Sequence, residues 1–167
     1  MDEVRDSFRP STLGWLRGTA AGLGTVVMGI GGFALMIAMA GDWGAWPLVL
    51  TGLAVAIVLA KWVENMSAKY EVTSERLIVR RGIIFKSIDE VELYRIKDVR
   101  MDFSLLNQWA GIGTICLTSS DETTRTSDLV MRNVESAQAR REELRRLVDA
   151  ARRQRGVREI DMVHEDI

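Results

Sequence analysis

Between residues 18 and 60 the chain carries one charged side chain, Asp42, and no lysine or arginine. No other feature restricts the possible folds so strongly. A helical pair in a soluble domain shows a polar face, and this stretch has none. Residues 18–41 are free of charge. As a helix they would reach about 36 Å at 1.5 Å per residue, enough for the ~30 Å hydrocarbon layer. Residues 43–60 form a second uncharged run, near the lower limit for a span. Within lipid the backbone must satisfy its own hydrogen bonds, so both runs are expected to be helices. Gly41-Asp42 separates them, and Pro47 falls in the first turn of the second, where no hydrogen bond is lost. The expected organisation is a segment 1–17, then a transmembrane hairpin 18–62 with helices 18–41 and 43–62.

The tryptophans fit this arrangement. Trp15 and Trp62 flank the outer ends of the hairpin and Trp43 and Trp46 its tip, the interfacial places an indole prefers. The tip lacks basic residues, whereas Arg9, Arg17, Lys61 and Lys69 surround the other end. Positive charge stays on the cytoplasmic side, so a two-pass protein of the inner (cytoplasmic) membrane is expected, both termini cytoplasmic. The competing reading is a cleaved signal, because Ala38-Met39-Ala40 resembles a cleavage box. Against it, the apolar run is far longer than the usual signal core.

Small residues recur at Gly14, Gly18, Gly22, Thr25, Gly29 and Gly32, in steps that share one helical face, and the second run offers Ala45, Gly52, Ala56 and Ala60. Such faces allow close helix packing in lipid. They serve either the hairpin itself or a homo-oligomer. No ionisable group lies inside either span, which argues against an ion path.

After Trp62 the pattern becomes that of strands. They are expected at 69–73, 77–81, 83–85, 89–96, 97–102, 114–119 and 126–131, with a helical turn at 104–109 capped by Ser104 and a hairpin turn at 120–124. Gly82 suits a turn of positive φ, and Gly111 and Gly113 a close backbone approach. Asn133 is expected to cap a helix 134–155 that Gly156 ends. Residues 157–167 read as a flexible polar tail. Trp109, away from the membrane ends, is expected to plug the core. The fold class is thus α+β: the transmembrane hairpin, then a domain 63–156 built as a small β-barrel or curved antiparallel sheet with a C-terminal capping helix.

The segments KYEVTSERLIVRRGIIF, DEVELYRIKDVR and SLLNQWAGIGTICLTSS together resemble the bacterial PH-like domain family. The most specific parts are Tyr70, Thr73 and Arg76 in the first and Gly111-Ile112-Gly113-Thr114 in the last. The resemblance implies a pleckstrin-homology-like barrel with a capping helix, often behind a transmembrane hairpin. It implies a place in envelope homeostasis, and no known reaction.

Residues for chemistry are scarce. Cys116 is alone, which excludes an intrachain disulfide, and is expected to be a small buried hydrophobe. A single histidine and a single cysteine cannot build a zinc site, so no metal and no cofactor is expected. Asp89, Glu90 and Glu92 read as a solvated strand face. A net charge of −1 argues against a nucleic-acid partner. The expectation is a non-enzymatic interaction module that forms homo-oligomers or binds another membrane protein. The alternative is a sensor of anionic lipid headgroups through Arg80, Arg81 and Lys86, since a basic residue near such a surface is worth about 1 kcal/mol.

Overall fold

In a computed structural model of the chain, residues 4–39, 44–119 and 129–156 are described. Trp43, Gly41-Asp42, the expected 120–124 turn, the start of the last expected strand and the 157–167 tail lie outside them. The first element is one with no sequence signal, a strand β1 (Val4–Phe8). It leads into a short helix α1 (Thr12–Gly18) and the apolar helices α2 (Ala20–Ala38) and α3 (Trp46–Met66). The strands β2 (Lys69–Thr73), β3 (Arg76–Arg81) and β4 (Ser87–Glu92) follow. After a 3-10 turn, Leu93–Arg95, come β5 (Ile96–Asp102), the short helix α4 (Leu105–Trp109), β6 (Ile112–Ser119), β7 (Leu129–Glu135) and α5 (Ala137–Arg155).

The strands make two antiparallel sheets, ordered β1-β2-β3-β4 and β5-β6-β7, where a closed barrel was one expectation. Because β1 pairs with β2, with Phe8 opposite Tyr70, the helical hairpin is an insertion between the first two strands of one sheet. Phe8 and Tyr70 stack at 5.3 Å between ring centres. The core lies between the sheets and α5, where Leu77, Leu93, Ile96 and Val134 are fully buried. α5 contributes Ala137, Leu144, Val148 and Ala151, and its Arg140 pairs with Asp6 while stacking over Phe8 at 4.1 Å. Arg152 donates to the Ile96 carbonyl at 2.8 Å and Arg141 to that of Val99, so part of the arginine-rich helix serves to hold β5.

Several local expectations fail for identifiable reasons. Residues 83–85 form a loop outside the sheet, with Phe85 90% exposed. The strand expected over 89–96 ends at Glu92, and the 3-10 turn sends Leu93 inward. Asn133 does not cap α5. It sits in β7 at φ 53, where two residues of β7 oppose one of β6, a bulge whose left-handed residue asparagine tolerates. The bulge turns the Asn133 carbonyl to accept the Ser11 amide at 2.9 Å. Ser136 precedes α5 and Gly156, at φ 66, ends it as expected. Cys116 points away from the core, because Ile115 and Leu117 take the inward positions of β6; its thiol lies 3.6 Å from an Asp102 oxygen. Trp109 is 78% exposed. Strand side chains already fill the space between the sheets, so α4 buries none of its residues and sits outside, beside α1.

α2 and α3 are long and apolar enough to cross a membrane, by length and composition. They pack side by side, with Gly29 against Ala54, Gly32 against Pro47 and Thr51, and the Thr51 hydroxyl donating to the Gly29 carbonyl at 3.0 Å. Their other faces are bare: Val27, Ile30, Ile37 and Leu59 are each more than half exposed. The α1–α2 break at Thr19 is capped by its own hydroxyl, which accepts from the Gly22 amide at 2.9 Å. A side chain at Gly22 would overlap the Trp15 carbonyl, so only glycine allows α2 to start this close to α1.

If β1 belongs to the folded core, Phe8→Ala should destabilise the full chain by about 3–5 kcal/mol, as for other buried aromatics. The neighbouring Val4→Ala, at a position 53% exposed, should stay within about 0.5 kcal/mol. Heat or urea unfolding in detergent micelles measures both. Equal, small effects would detach β1 from the domain.

Candidate functional site

The foot of α3 and the β3–β4 loop enclose an open cleft of about 550 Å³. Five basic residues line it: Arg9 from the link after β1, Lys69 from β2, Arg80 and Arg81 from β3, and Lys86 from the loop. No carboxylate does. Its apolar wall comes from Val63 and Met66 of α3 and from Ile83 and Ile88. The three sequence candidates Arg80, Arg81 and Lys86 therefore come together, and Arg9 and Lys69 join them.

The loop depends on Gly82, which sits at φ +105 with the Phe85 carbonyl folded onto the place of a side chain. Any other residue there would meet both a disfavoured backbone region and that oxygen. This tight turn pushes Ile84 and Phe85 into the open, 85% and 90% exposed, beside the cleft.

The five charges are not equivalent. Glu71, on the outer face of β2, pairs with Lys69 at 2.6 Å and with Arg80 at 3.3 Å. The hydrogen bond from Lys69, helped by Arg80, lowers the Glu71 pKa against the opposing effect of burial. Arg81 donates to the Val130 carbonyl at 2.7 Å, while its Nε is buried without a partner. Burial raises the Tyr70 pKa, with Arg81 opposing. Arg9 donates to the Met66 sulfur at 3.7 Å, and among the described residues neither Arg9 nor Lys86 makes an ion pair. Unbalanced positive charge thus concentrates on those two and on Arg81. Such a cleft can hold an anion beside an apolar surface, with the Ser67 and Ser87 side chains also in its lining.

The small-residue candidates separate into groups. Gly29 and Gly32 lie in the α2–α3 contact and Gly22 in the α1–α2 contact. Gly14 and Gly18 face Ile112 of β6, so they join the hairpin to the domain. Gly52 has open space around it and Ala56 is exposed; α3 meets α2 through Pro47, Thr51 and Ala54 instead. Asn65, buried at the end of α3, donates to the Thr12 hydroxyl at 3.0 Å and closes the foot. Arg9 and Lys69 escaped sequence reasoning as members of the cleft: Lys69 joins it through its place opposite Arg80 in the β2–β3 pairing, and Arg9 only through the β1–β2 pairing. Among the described residues no three His, Cys, Asp or Glu side chains converge as metal ligands. Asp89 stays on the exposed face of β4, Glu90 pairs with Arg76 at 2.5 Å and Glu92 with Arg95 at 2.9 Å.

A family model described as a bacterial PH domain matches residues 13–148. No curated protein and no solved structure matches the chain.

Folding lowers the Glu71 pKa, so its ion pairs stabilise the protein above the ordinary glutamate range and are lost as pH falls through the lower folded value. Glu71→Gln should therefore reduce the thermal midpoint at pH 7, and the gap to the unmutated chain should close in acid. A gap that persists below the glutamate range would contradict this.

Proposed function

The chain belongs to the bacterial PH domain family, and on that premise we propose that it is a non-enzymatic, membrane-anchored module whose basic cleft binds the phosphate of anionic lipid headgroups. α2 and α3 cross the inner membrane as a hairpin, and the two sheets with α5 lie on its cytoplasmic side. The observation that carries this reading is the cleft: five Lys and Arg side chains and no acid, set directly at the end of α3. An exit point from a bilayer is where headgroup phosphates are found, and juxtamembrane basic residues each gain about 1 kcal/mol from them. The exposed Ile84 and Phe85 beside the charges give the same place an apolar contact with acyl chains.

A second reading, a scaffold for copies of itself or another membrane protein, has separate support. The sheets are open, and β4 is the outermost strand of its sheet, with residues 87–90 exposed. An uncovered strand edge can accept a strand from another chain.

Full-length protein purified from mixed micelles of phosphatidylglycerol and phosphatidylcholine should retain the anionic lipid preferentially. Lys86→Gln should lower that enrichment about fivefold, the equivalent of ~1 kcal/mol, and high salt should weaken it further. No enrichment, or enrichment indifferent to Lys86→Gln, would refute headgroup binding.

A further inference from the structure

The exposed large hydrophobic residues of the domain are not scattered. Beyond Met66 and among the described residues, they fall in two places: the stretch Ile83, Ile84, Phe85 and Ile88, and the stretch Phe103, Leu105, Leu106 and Trp109. The first borders the cleft at the end of α3. The second is α4 and the residue pair before it, and it sits at the other foot of the hairpin. Ala110, the residue after Trp109, packs with Ile112 against Gly18, and α2 begins two residues later at Ala20.

We propose that α4 is a membrane-dipping element, with Leu105 and Trp109 seated in the interfacial layer of the same leaflet where the hairpin enters. This rests on the reading of α2 and α3 as membrane spans and extends it. Three observations select lipid as the occupant. Leu105 and Trp109 are one helical turn apart, so they share a face, and they are 86% and 78% exposed. α4, Leu-Leu-Asn-Gln-Trp, carries no charge that would resist the headgroup layer. The face is continuous with α1 and the start of α2 rather than placed on a remote side of the domain. An indole with its polar edge at such a depth is in its favoured environment.

The consequence is a defined orientation. Two apolar prongs, Ile84-Phe85 beside α3 and Leu105-Trp109 beside α1, rest the domain on the leaflet at both sides of the hairpin. The basic cleft is then held at headgroup height.

The test uses the full chain in nanodiscs of neutral phosphatidylcholine alone, so that apolar insertion is read without headgroup charge. In a Cys116→Ser background, single probes are placed by Leu105→Cys, by Val27→Cys on the bare face of α2, and by Arg146→Cys on the outer face of α5, where the side chain is 77% exposed. Each bears an environment-sensitive fluorophore, challenged by a shallow spin-labelled lipid and by a water-soluble nickel chelate. The Leu105 probe should be quenched by the lipid several-fold more than the Arg146 probe and protected from nickel. A Leu105 probe that behaves like the Arg146 probe, while the Val27 probe is lipid-quenched, overturns the proposal and leaves the hairpin standing. A Val27 probe quenched from water fails the membrane reading itself. A Leu105 probe shielded from both quenchers would assign the face to a second copy of the chain, and would equally overturn insertion.

Discussion

The pairing of β1 with β2 is the contact on which the rest of the architecture depends. It joins residues on either side of a helical hairpin, with Phe8 opposite Tyr70 and Ser7 opposite Glu71. Closing the chain there fixes both feet of the hairpin to one sheet. It also requires that α2 begin and α3 end on the same side of whatever the helices cross. The Arg140–Asp6 pair and the stacking of Arg140 on Phe8 let α5 clamp the same strand from the opposite layer. Closing so long a loop carries an entropic cost that grows only slowly with its length. The helix–helix contacts at Gly29–Ala54 and Gly32–Thr51 shorten the effective loop further.

From that closure the basic cleft follows. Arg9 and Lys69 are neighbours only because β1 and β2 are, and both then meet Arg80, Arg81 and Lys86 across the β2–β3 pairing. Glu71 tempers two of the charges and leaves Arg9 and Lys86 unpaired among the described residues. Beside them the turn at Gly82 lifts Ile84 and Phe85 outward. Charge and apolar surface in one place, at the end of an apolar helix, is the combination on which the proposed contact with a leaflet rests. Open strand edges supply a different capacity, that of accepting a protein partner.

Much of this is legible in the residues, and the failures share a cause. The two apolar helices announce themselves by the absence of charge, β2 by its alternation, and the end of α5 by Gly156. Ser104 caps α4 as its position suggests, accepting the Asn107 amide at 3.2 Å. The strand β1 is invisible because Val-Arg-Asp-Ser-Phe has no clean alternation and its partner lies beyond the hairpin. Residue type points Trp109 and Cys116 to the core, yet an aromatic or thiol on an outward position reads identically until the register of β6 and the place of α4 are known. Asn133 has the composition of a helix cap and serves instead in a bulge: capping would use its side-chain oxygen on an extended backbone, whereas the bulge uses the tolerance of asparagine for a left-handed one. The charges at Arg80, Arg81 and Lys86 could be singled out in the chain, whereas the cleft they line needs contacts across the inserted hairpin.

The most direct measurement is covalent. Residues facing one another on antiparallel strands lie about 4.5–5.5 Å apart at their Cα atoms, within disulfide reach. The Ser7→Cys/Glu71→Cys pair, in a Cys116→Ser background with a protease site inserted at residues 40–43, can be oxidised mildly in native membranes and then cut after solubilisation. The expected result is two fragments that stay joined until a reductant is added. Fragments that separate without reductant, or cross-links found only between two chains, would contradict a hairpin inserted within one domain.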